Sequence, residues 1–336
     1  MQNLKKELFN PYFSHIYVEK EAVNSPNTKK ILSNFKESKI VYIDHYKDVF
    51  CRTHQNYNLQ KKSSKLIIAV KKDNLLYKGA KVCEDFGNEY FYYTSTMMNC
   101  IYDCEYCYLQ GMYSSSNIVV FVNIEDIFRE VEKLLKSHSV YLCISYDTDI
   151  LAFENIVGYG RKWIEFAKAH PNLKIELRTK STNFNSIEDI RAIENVILAW
   201  TVSPDRVIKN YENRTPSLKE RLETIKRAID KGWKVRICFD PMLYIKDWKK
   251  IYKDLFEYTF NRVDVDKIYD VSIGVFRISK DYLKTMRRQR FDSVIVNYPF
   301  ETVKGVCSYK DTLSKEMINY AYNTVKEYVE EEKIYI

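Results

Sequence analysis

The stretch Cys100-Ile-Tyr-Asp-Cys104-Glu-Tyr-Cys107 decides how the sequence is interpreted, because it places three thiols in one short segment. A 4Fe–4S cluster normally takes four thiolates, so three of them leave one iron without a protein ligand. The amino and carboxylate groups of S-adenosylmethionine (AdoMet) can chelate that iron. An electron from the cluster can then cleave the sulfonium and form an adenosyl radical, which is chemistry that the protein only positions. The spacing therefore predicts two cofactors, a 4Fe–4S cluster and AdoMet, with Cys100, Cys104 and Cys107 as the metal ligands.

A zinc site and a plain electron-transfer cluster are the alternatives to this interpretation. Zinc sites use paired C-x2-C units or cysteine together with histidine. The sequence has no second C-x2-C unit, and its five histidines are scattered. A disulfide is disfavoured because three thiols at this spacing are too crowded to pair. Radical chemistry is therefore the favoured interpretation.

Composition indicates an ordinary globular chain in a reducing compartment. The chain has 336 residues, of which 46% are hydrophobic, enough for one large α/β domain or for one domain with a smaller attachment. No stretch approaches the roughly 20 apolar residues of a membrane helix, and no apolar run follows the amino terminus. We expect a cytoplasmic protein, where thiols stay free for clusters. The net charge of +8 is compatible with a nucleic-acid partner without demonstrating one.

Residues 1–88 are predicted to form an amino-terminal α/β extension. Short β-rich runs occur at 16–19, 40–44 and 66–70, with a helical segment at 28–35 between the first two. Several lysines flank the third run, and they predict either a solvated edge or a phosphate contact. They are Lys61, Lys62, Lys65, Lys71 and Lys72.

Residues 89–278 alternate between strand and helix patterns six times. The predicted strands are 90–95, 140–144, 173–179, 196–202, 234–239 and 269–275. Asn123 is predicted to cap a helix after the run 119–122, and Ser217 with Glu220 forms a capping box. This rhythm predicts a partial parallel (β/α)6 barrel, whose active site lies at the carboxyl ends of its strands. The three-cysteine segment follows the first of these strands.

Residues 279–336 are predicted to form a hairpin and a final helix. Basic residues cluster at the start of this part, at Lys284, Arg287, Arg288 and Arg290. The runs 294–296 and 303–309 predict a short hairpin, and a helix is expected from Ser314 to Glu330.

The motifs together resemble the spore photoproduct lyase family of radical AdoMet enzymes. The resemblance rests on residues 100–110, which end in Cys-Tyr-Leu-Gln, and on segments 16–22, 120–127, 149–150, 178–180, 207–212 and 221–224. It implies a partial (β/α)6 barrel with an amino-terminal α/β extension. The implied activity is repair of a methylene-bridged thymine dimer, spore photoproduct, in DNA through an adenosyl radical. The implied partners are damaged DNA and a reducing electron donor such as flavodoxin or ferredoxin.

The resemblance also implies roles for seven residues around the cofactor. They are Tyr106 along the adenine, Tyr108 near the radical relay, Thr148 and Asp149 near the cofactor, Lys180 at its carboxylate, and Thr201 and Ser203 as polar positions on the fourth strand. Each also has an ordinary structural interpretation. Lys180 can be a surface lysine that ends a strand, and the tyrosines can be core aromatics.

In the family, a hydrogen-donating cysteine lies three residues before the aspartate that corresponds to Asp149. This sequence departs from the family at that position. Tyr146 occupies that position here. Cys143 lies three residues earlier, and strand alternation points its side chain to the opposite face unless the strand bulges. Cys83 is a second candidate donor, and the Tyr146 phenol is a third.

A second departure concerns substrate recognition. The family's Gly-Arg-Tyr-Gly hairpin is absent, and the corresponding stretch is 298–306, in which Lys304 and Phe300 are possible substitutes. Asp240 stands before Pro241, where the family usually has a small apolar residue. Two alternatives to spore photoproduct repair therefore stay open. One is a related enzyme acting on another substrate, and the other is a non-catalytic iron–sulfur protein that binds nucleic acid.

Overall fold

The short apolar runs of the sequence form strands in the computed structural model, which describes residues 13–80 and 83–336. The strands are β1 (His15–Glu19), β2 (Lys39–Ile43), β3 (Leu66–Ala69), β4 (Tyr77–Lys78), β5 (Phe91–Tyr93), β6 (Met97–Met98), β7 (Asp103–Cys104), β8 (Ile118–Phe121), β9 (Val140–Cys143), β10 (Leu173–Thr179), β11 (Val196–Thr201), β12 (Glu212–Asn213), β13 (Lys234–Met242), β14 (Asp270–Val275), β15 (Arg277–Ser279), β16 (Glu301–Val303), β17 (Val306–Ser308) and β18 (Ile334–Tyr335).

The α-helices lie mainly between the strands of the two large sheets. They are α1 (Pro26–Leu32), α2 (Lys47–Phe50), α3 (Tyr57–Lys62), α4 (Leu109–Met112), α5 (Ile124–Leu135), α6 (Glu154–Val157), α7 (Tyr159–Ala169), α8 (Asp205–Tyr211), α9 (Leu218–Asp230), α10 (Trp248–Phe260), α11 (Lys280–Gln289) and α12 (Asp311–Val325).

The second large sheet is the predicted partial barrel. Six parallel strands run in the order β14-β13-β11-β10-β9-β5, with β18 added in parallel beyond β14 and β4 antiparallel beyond β5. The strand β11 is buried at every position, as is usual for a parallel strand covered on both faces. The sheet curls without closing, so the six-stranded half-barrel predicted from the strand–helix rhythm is confirmed.

The first sheet contains strands from both sides of the cysteine segment. Its order is β2-β1-β3-β8-β6, in which β8 lies parallel to β3 and β6 lies antiparallel to β8. The chain therefore leaves the barrel after β5, adds two strands to the first sheet, and returns to the barrel at β9. The domain division at residues 88 and 278 stays a prediction, because the two sheets share the segment 91–121.

The structure confirms one of the two predicted helix caps fully and the other only in its position. Ser217 Oγ accepts a hydrogen bond from the Glu220 amide, and the Glu220 carboxylate accepts one from the Ser217 amide, so the capping box that starts α9 is present. Asn123 is the N-cap residue of α5, as predicted, but its side chain makes no capping hydrogen bond to the helix backbone. The Asn123 amide side chain is instead hydrogen-bonded to the backbone N–H and carbonyl of Lys71, at 2.8 and 2.9 Å.

The carboxy-terminal part differs in detail from the prediction. Residues 294–296 lie in turns, and the hairpin consists of β16 and β17 with β15 alongside. The last helix, α12, begins at Asp311 and ends at Val325, earlier at both ends than predicted. Among the described residues, no helix combines the length and the apolar character that a membrane crossing requires.

Candidate active site

The three-cysteine segment is a loop fixed at both of its ends. Asn99 has a left-handed φ of 66°, which asparagine tolerates better than most residues. Its Nδ2 donates to the carbonyls of Ser115 and Asn117, both at 2.7 Å, so the start of the loop is tied to its end. Thr148 Oγ1 donates to the Asn99 carbonyl at 2.7 Å. The loop is therefore anchored to the carboxyl end of the neighbouring barrel strand β9.

Burial and nearby cations shift the pKa values of the three thiols in opposite directions. Burial raises the pKa of Cys100 to about 12, and it raises the pKa of Cys104 and Cys107 as well. The positive charge of Lys61 opposes this shift at Cys100, and that of Lys180 opposes it at Cys104 and Cys107. A metal bound to a thiol displaces its proton. The lysines therefore favour the charged form that a metal requires.

The donor set of the loop is suited to an iron–sulfur cluster, whose irons are held by cysteine thiolates. In the described part of the chain, no group of three or more His, Cys, Asp or Glu side chains lies in an arrangement that could hold a metal ion directly. Because a four-iron cluster binds each thiolate through a different iron, its thiolates need not converge on one ion. Asn99 Oδ1, next to Cys100, is buried without a hydrogen-bond partner among the described residues. Because an amide oxygen only accepts hydrogen bonds, a bound donor group could satisfy it, but the sulfides and thiolates of a cluster could not.

Lys180 lies close to the cysteine loop and is partly buried, so it is not a surface lysine. Its Nζ is 5.4 Å from the centre of the Tyr106 ring. Burial would lower the pKa of Lys180, but the charges of Cys104 and Glu212 raise it above its ordinary value. The carboxylate of Asp149 accepts hydrogen bonds from the Lys180 amide at 2.8 Å and from the Thr179 hydroxyl at 2.7 Å. Asp149 thus fixes the backbone that presents Lys180.

Glu212 is a residue of this site that the sequence analysis missed. Its carboxylate accepts hydrogen bonds from the Tyr106 hydroxyl, from Ser203 Oγ at 2.7 Å and from Arg221 Nη2 at 2.5 Å. The side chains of Glu212 and Arg221 are both 0% exposed. Burial alone would raise the pKa of Glu212, but the charges of Arg221 and Lys180 overcome this effect and lower it to about 2. No sequence motif pairs Glu212 with the cysteine loop, although β12 lies antiparallel to β7 there.

Thr201 and Ser203 are both buried, but they differ in their contacts. Ser203 Oγ donates to Glu212, as described above, and therefore belongs to the hydrogen-bond network under Tyr106. The carbonyl of Thr201 accepts a hydrogen bond from Arg221 Nη1 at 3.1 Å. These contacts link six of the seven residues predicted around the cofactor to one another or to the cysteine loop, and the exception is Tyr108, which contacts Tyr146 instead.

Two of the candidate hydrogen donors, Cys83 and Tyr146, contact each other, and Tyr108 connects them to the cysteine loop. Cys83 Sγ is 3.8 Å from the Tyr146 hydroxyl oxygen, and the Tyr108 hydroxyl donates to the Tyr146 carbonyl. The ring of Tyr146 stacks on that of Tyr93, with centroids 4.0 Å apart. Cys143 is the last residue of β9 and is 8% exposed. Strand alternation does not relate its orientation to that of Tyr146, because Tyr146 lies in the turn after the strand.

Charged residues next to Cys83 line the carboxyl end of the barrel. Asp240 accepts hydrogen bonds from Arg277 Nη1 at 3.1 Å and Nη2 at 3.3 Å, and Arg178 Nη1 lies 3.7 Å from its carboxylate. A Cβ atom at Gly274 would lie 2.7 Å from Asp240 Oδ1, so a glycine is needed beside this ion pair. The departure from the family at Asp240 is therefore accommodated by a local charge network.

Two of the lysines around β3 are buried inside the protein, which neither of the two predictions for them anticipated. Lys61 is 4% exposed, and its ammonium group donates to the Cys100 carbonyl. Lys71 is also buried, with its Nζ 5.0 Å from the centre of the Phe121 ring. Both are therefore internal cations rather than parts of a solvated edge or a phosphate-binding surface. Lys62 and Lys72 do lie exposed.

The fold and this site define a class of protein, namely an α/β half-barrel in which a three-cysteine loop follows the first barrel strand. Comparison with known families is consistent with this class. A family profile described as spore photoproduct lyase matches residues 9–303. The chain therefore belongs to the spore photoproduct lyase family.

Individual relatives agree with this assignment. The spore photoproduct lyase of Clostridium acetobutylicum is 23% identical over 252 residues, which cover 72% of each chain. The Bacillus subtilis enzyme is 23% identical over 297 residues, which cover 82% of this chain and 84% of that one. A solved spore photoproduct lyase double mutant with bound AdoMet and dinucleoside spore photoproduct has a TM-score of 0.82 at 19% identity. It covers 96% of this chain and 97% of that chain, and this likeness shows the fold.

Proposed function

We propose that this protein is a radical AdoMet enzyme that repairs spore photoproduct in DNA to two thymines. Family membership supports the substrate, and the cysteine loop supports the reaction class. The observation that carries the proposal is the position of Lys180. Its cationic side chain lies close to Cys104 and Cys107, and its charge affects the pKa of both thiols. A cation at that position is suited to the carboxylate of a cofactor that binds beside three thiolates.

The cofactor pocket is assigned to this chain's own side chains as follows. Cys100, Cys104 and Cys107 would hold a 4Fe–4S cluster, which when bound supplies the electron that cleaves AdoMet to an adenosyl radical. Lys180 would bind the AdoMet carboxylate, and Tyr106 would contact the adenine.

The residues around this pocket act through those contacts. Glu212 orients Tyr106 through its hydroxyl, and Asp149 orients Lys180 through its backbone amide. Thr148 holds the loop at Asn99. Ser203 donates to Glu212, and Thr201 accepts from Arg221, so both stabilise the network that supports Tyr106.

We assign the return of hydrogen to the product radical to Cys83. Burial raises the pKa of the Cys83 thiol, so its S–H is retained at neutral pH. The Tyr146 phenol, 3.8 Å away, can give its hydroxyl hydrogen atom to the sulfur radical that remains. The radical then left on Tyr146 would take a hydrogen atom from 5′-deoxyadenosine, which balances the transfer. Tyr108 contacts Tyr146 at the edge of the cysteine loop. Cys143 is the alternative donor, because it is a buried thiol at the carboxyl end of β9, three residues before Tyr146.

The β16–β17 hairpin is the proposed contact with the damaged DNA. Its two-residue tip, Lys304 and Gly305, has positive φ angles of 49° and 82°, as in the tight turns that suit hairpins. Val303, beside the tip, is 67% exposed, and Lys304 is exposed as well. Phe300 is not available for this role, because its ring packs against Phe276 with centroids 5.1 Å apart. Val303 and Lys304 therefore replace the family's signature residues in this proposal.

The proposed reaction also requires a source of electrons. A reduced flavodoxin or ferredoxin would deliver one electron to the cluster in each activation. Both carriers and the DNA substrate are found in the cytoplasm, which is the location we propose.

The test is anaerobic reconstitution with iron and sulfide, followed by an assay with dinucleotide spore photoproduct deuterated at C6 of its dihydrothymine ring. A radical at C6 weakens the adjacent bond from C5 to the bridge, so removal of this hydrogen opens the dimer. We expect AdoMet to be cleaved, deuterium to appear in 5′-deoxyadenosine, and the dinucleotide to be restored with two unlinked thymines. AdoMet cleavage without deuterium transfer would indicate another substrate. An iron centre whose spectrum does not respond to AdoMet would contradict the proposed reaction class.

A further inference from the structure

Exposed apolar side chains lie on a surface that the proposed reaction leaves without a role. Phe291 is 84% exposed and Val294 is 67% exposed, whereas the adjacent Ile295 and Val296 are buried. Leu59, at 63% exposure, lies on α3 next to Asn58, whose Nδ2 donates to the Gln289 carbonyl two residues before Phe291. Single exposed apolar residues are common, but a group of them at a functional site indicates an interaction surface.

The turn that carries Phe291 is rigidly held. Asn297 Nδ2 donates to the carbonyls of Arg290 and Phe291, both at 3.1 Å, and to that of Ser293 at 2.8 Å. Arg287 Nε donates to the Val296 carbonyl at 2.8 Å. Because the backbone is fixed, the exposed ring is presented without the entropy cost of ordering a loop on binding.

This turn is bonded directly to the cysteine loop. Arg290 forms an ion pair with Asp103. Ser293 Oγ donates to Glu105 Oε2 at 2.6 Å. Asp103 and Glu105 are the immediate neighbours of Cys104 in the chain. The surface therefore lies against the outer side of the proposed cluster ligand.

The charged residues around the apolar group are mostly cations. Asn58 Nδ2 donates to the Gln289 carbonyl, and Asn213 pairs with Asp103 across β7 and β12, so three segments meet here. The exposed charged side chains of residues 57–62, 213–214 and 284–294 are the cations Lys62, Arg214, Lys284 and Arg288 and the anion Asp292. The rim of the surface is therefore complementary to an acidic partner.

We propose that this surface, defined by Phe291, Val294 and Leu59 and its cationic rim, docks the small acidic one-electron carrier that reduces the cluster. The inference rests on the proposed function, because only a redox centre at the cysteine loop requires an electron from outside. One electron leaves the carrier and enters the cluster, and no bond forms or breaks in this step. A small apolar centre within a charged rim is suited to a transient electron-transfer complex, which forms quickly and dissociates readily.

DNA is the competing partner for a cationic surface, and the centre of this surface argues against it. Phosphate contacts are made by Lys, Arg and polar donors. Here the central side chains are apolar, and Asp292 lies among them. The candidate hydrogen donors Cys83 and Tyr146, which the lesion must approach, contact other residues of the site.

The test compares the variants Phe291→Ala and Arg288→Glu with the control Tyr42→Ala. Tyr42 is 60% exposed on β2 of the first sheet. Calorimetry measures the affinity of each reconstituted protein for an acidic flavodoxin at two salt concentrations. AdoMet cleavage is then measured with reduced flavodoxin and, separately, with dithionite, which needs no docking surface.

We expect Phe291→Ala to weaken flavodoxin binding about tenfold, which is typical of an aromatic residue at the centre of an interface. Arg288→Glu should weaken binding and reduce its salt dependence. Cleavage driven by flavodoxin should fall in both variants, cleavage driven by dithionite should not change, and Tyr42→Ala should match the unmodified protein.

Three results would overturn the inference. They are unchanged flavodoxin affinity in both variants, an equal loss of cleavage with both reductants, and a loss of DNA affinity with flavodoxin binding intact. Failure of the unmodified protein to cleave AdoMet with dithionite would instead contradict the proposed function. The flavodoxin affinities would still decide the docking surface in that case.

Discussion

Cys83 Sγ and the Tyr146 hydroxyl oxygen lie 3.8 Å apart, although the two residues are separated by 63 positions in the chain. The resemblance to the family places Tyr146 where other members carry a hydrogen-donating cysteine, and Cys83 brings a thiol to its side chain from elsewhere in the chain. This contact is the basis of our proposal that Cys83 supplies the hydrogen atom to the product radical.

Replacing Cys83 by alanine should divert the product without stopping AdoMet cleavage. The product radical would then lack its nearby hydrogen donor and would form side adducts. Chromatography of the dinucleotide products measures the ratio of adduct to thymine. Cys143→Ala is the matched control, and we expect it to leave that ratio unchanged. A normal ratio in Cys83→Ala together with an altered one in Cys143→Ala would reverse the assignment.

Replacing Cys104 by alanine should abolish iron binding and AdoMet cleavage together. The remaining two thiols of the loop cannot retain the cluster, because each proposed ligand holds a different iron. Iron analysis and the visible spectrum after reconstitution provide the measurement. Cys51→Ala, at an exposed cysteine outside the loop, should keep full iron content. Retained iron and turnover in Cys104→Ala would refute its assignment as a ligand.

Replacing Lys180 by methionine should weaken AdoMet binding about ten- to hundredfold, the usual effect of losing a hydrogen bond to a charged group. Methionine keeps an unbranched side chain near Tyr106 but removes the positive charge. Equilibrium binding of AdoMet to the reconstituted protein tests this expectation. Lys62→Met removes an exposed lysine and should have no effect. Unaltered affinity in Lys180→Met would assign the AdoMet carboxylate to another residue.

Glu212→Gln should destabilise the fold by about 3–5 kcal/mol, because it leaves the buried Arg221 charge without its partner. Urea unfolding measures this change in the free energy of unfolding. The matched control is Glu188→Gln, which breaks the partly exposed pair of Glu188 with Arg227 and should cost about 1 kcal/mol or less. Equal losses in the two variants would show that burial of the Glu212–Arg221 pair has no special importance.

The same carboxylate predicts how stability depends on pH. The pKa of Glu212 is lowered to about 2 in the folded protein, compared with about 4.3 in an unfolded chain. A group with a lowered pKa stabilises the fold above its unfolded pKa, and this contribution disappears as pH falls towards the folded pKa. Between about pH 5 and pH 2, the unmodified protein should therefore lose stability more steeply than Glu212→Gln. Parallel curves of unfolding free energy against pH would contradict the assignment.

The sequence by itself determined the features that depend on local spacing. The rhythm of strands and helices gave the six-stranded half-barrel, because periodicity reports which side chains face a core. The segment from Cys100 to Cys107 indicated the chemistry, since its three thiols are close along the chain. The capping box of Ser217 and Glu220 was also visible, because its partners are three residues apart.

Only the tertiary structure decided the contacts between distant segments. Glu212 reaches Tyr106 across 106 positions, and Lys61 reaches the Cys100 carbonyl across 39. Nothing in the local sequence distinguishes Lys61 from the exposed Lys62 beside it. Burial and pairing depend on which elements are in contact in the folded protein, and such contacts produce no local pattern in the sequence. The contacts that stabilise the site could therefore not be predicted from the sequence, whereas the residues proposed to do its chemistry could be.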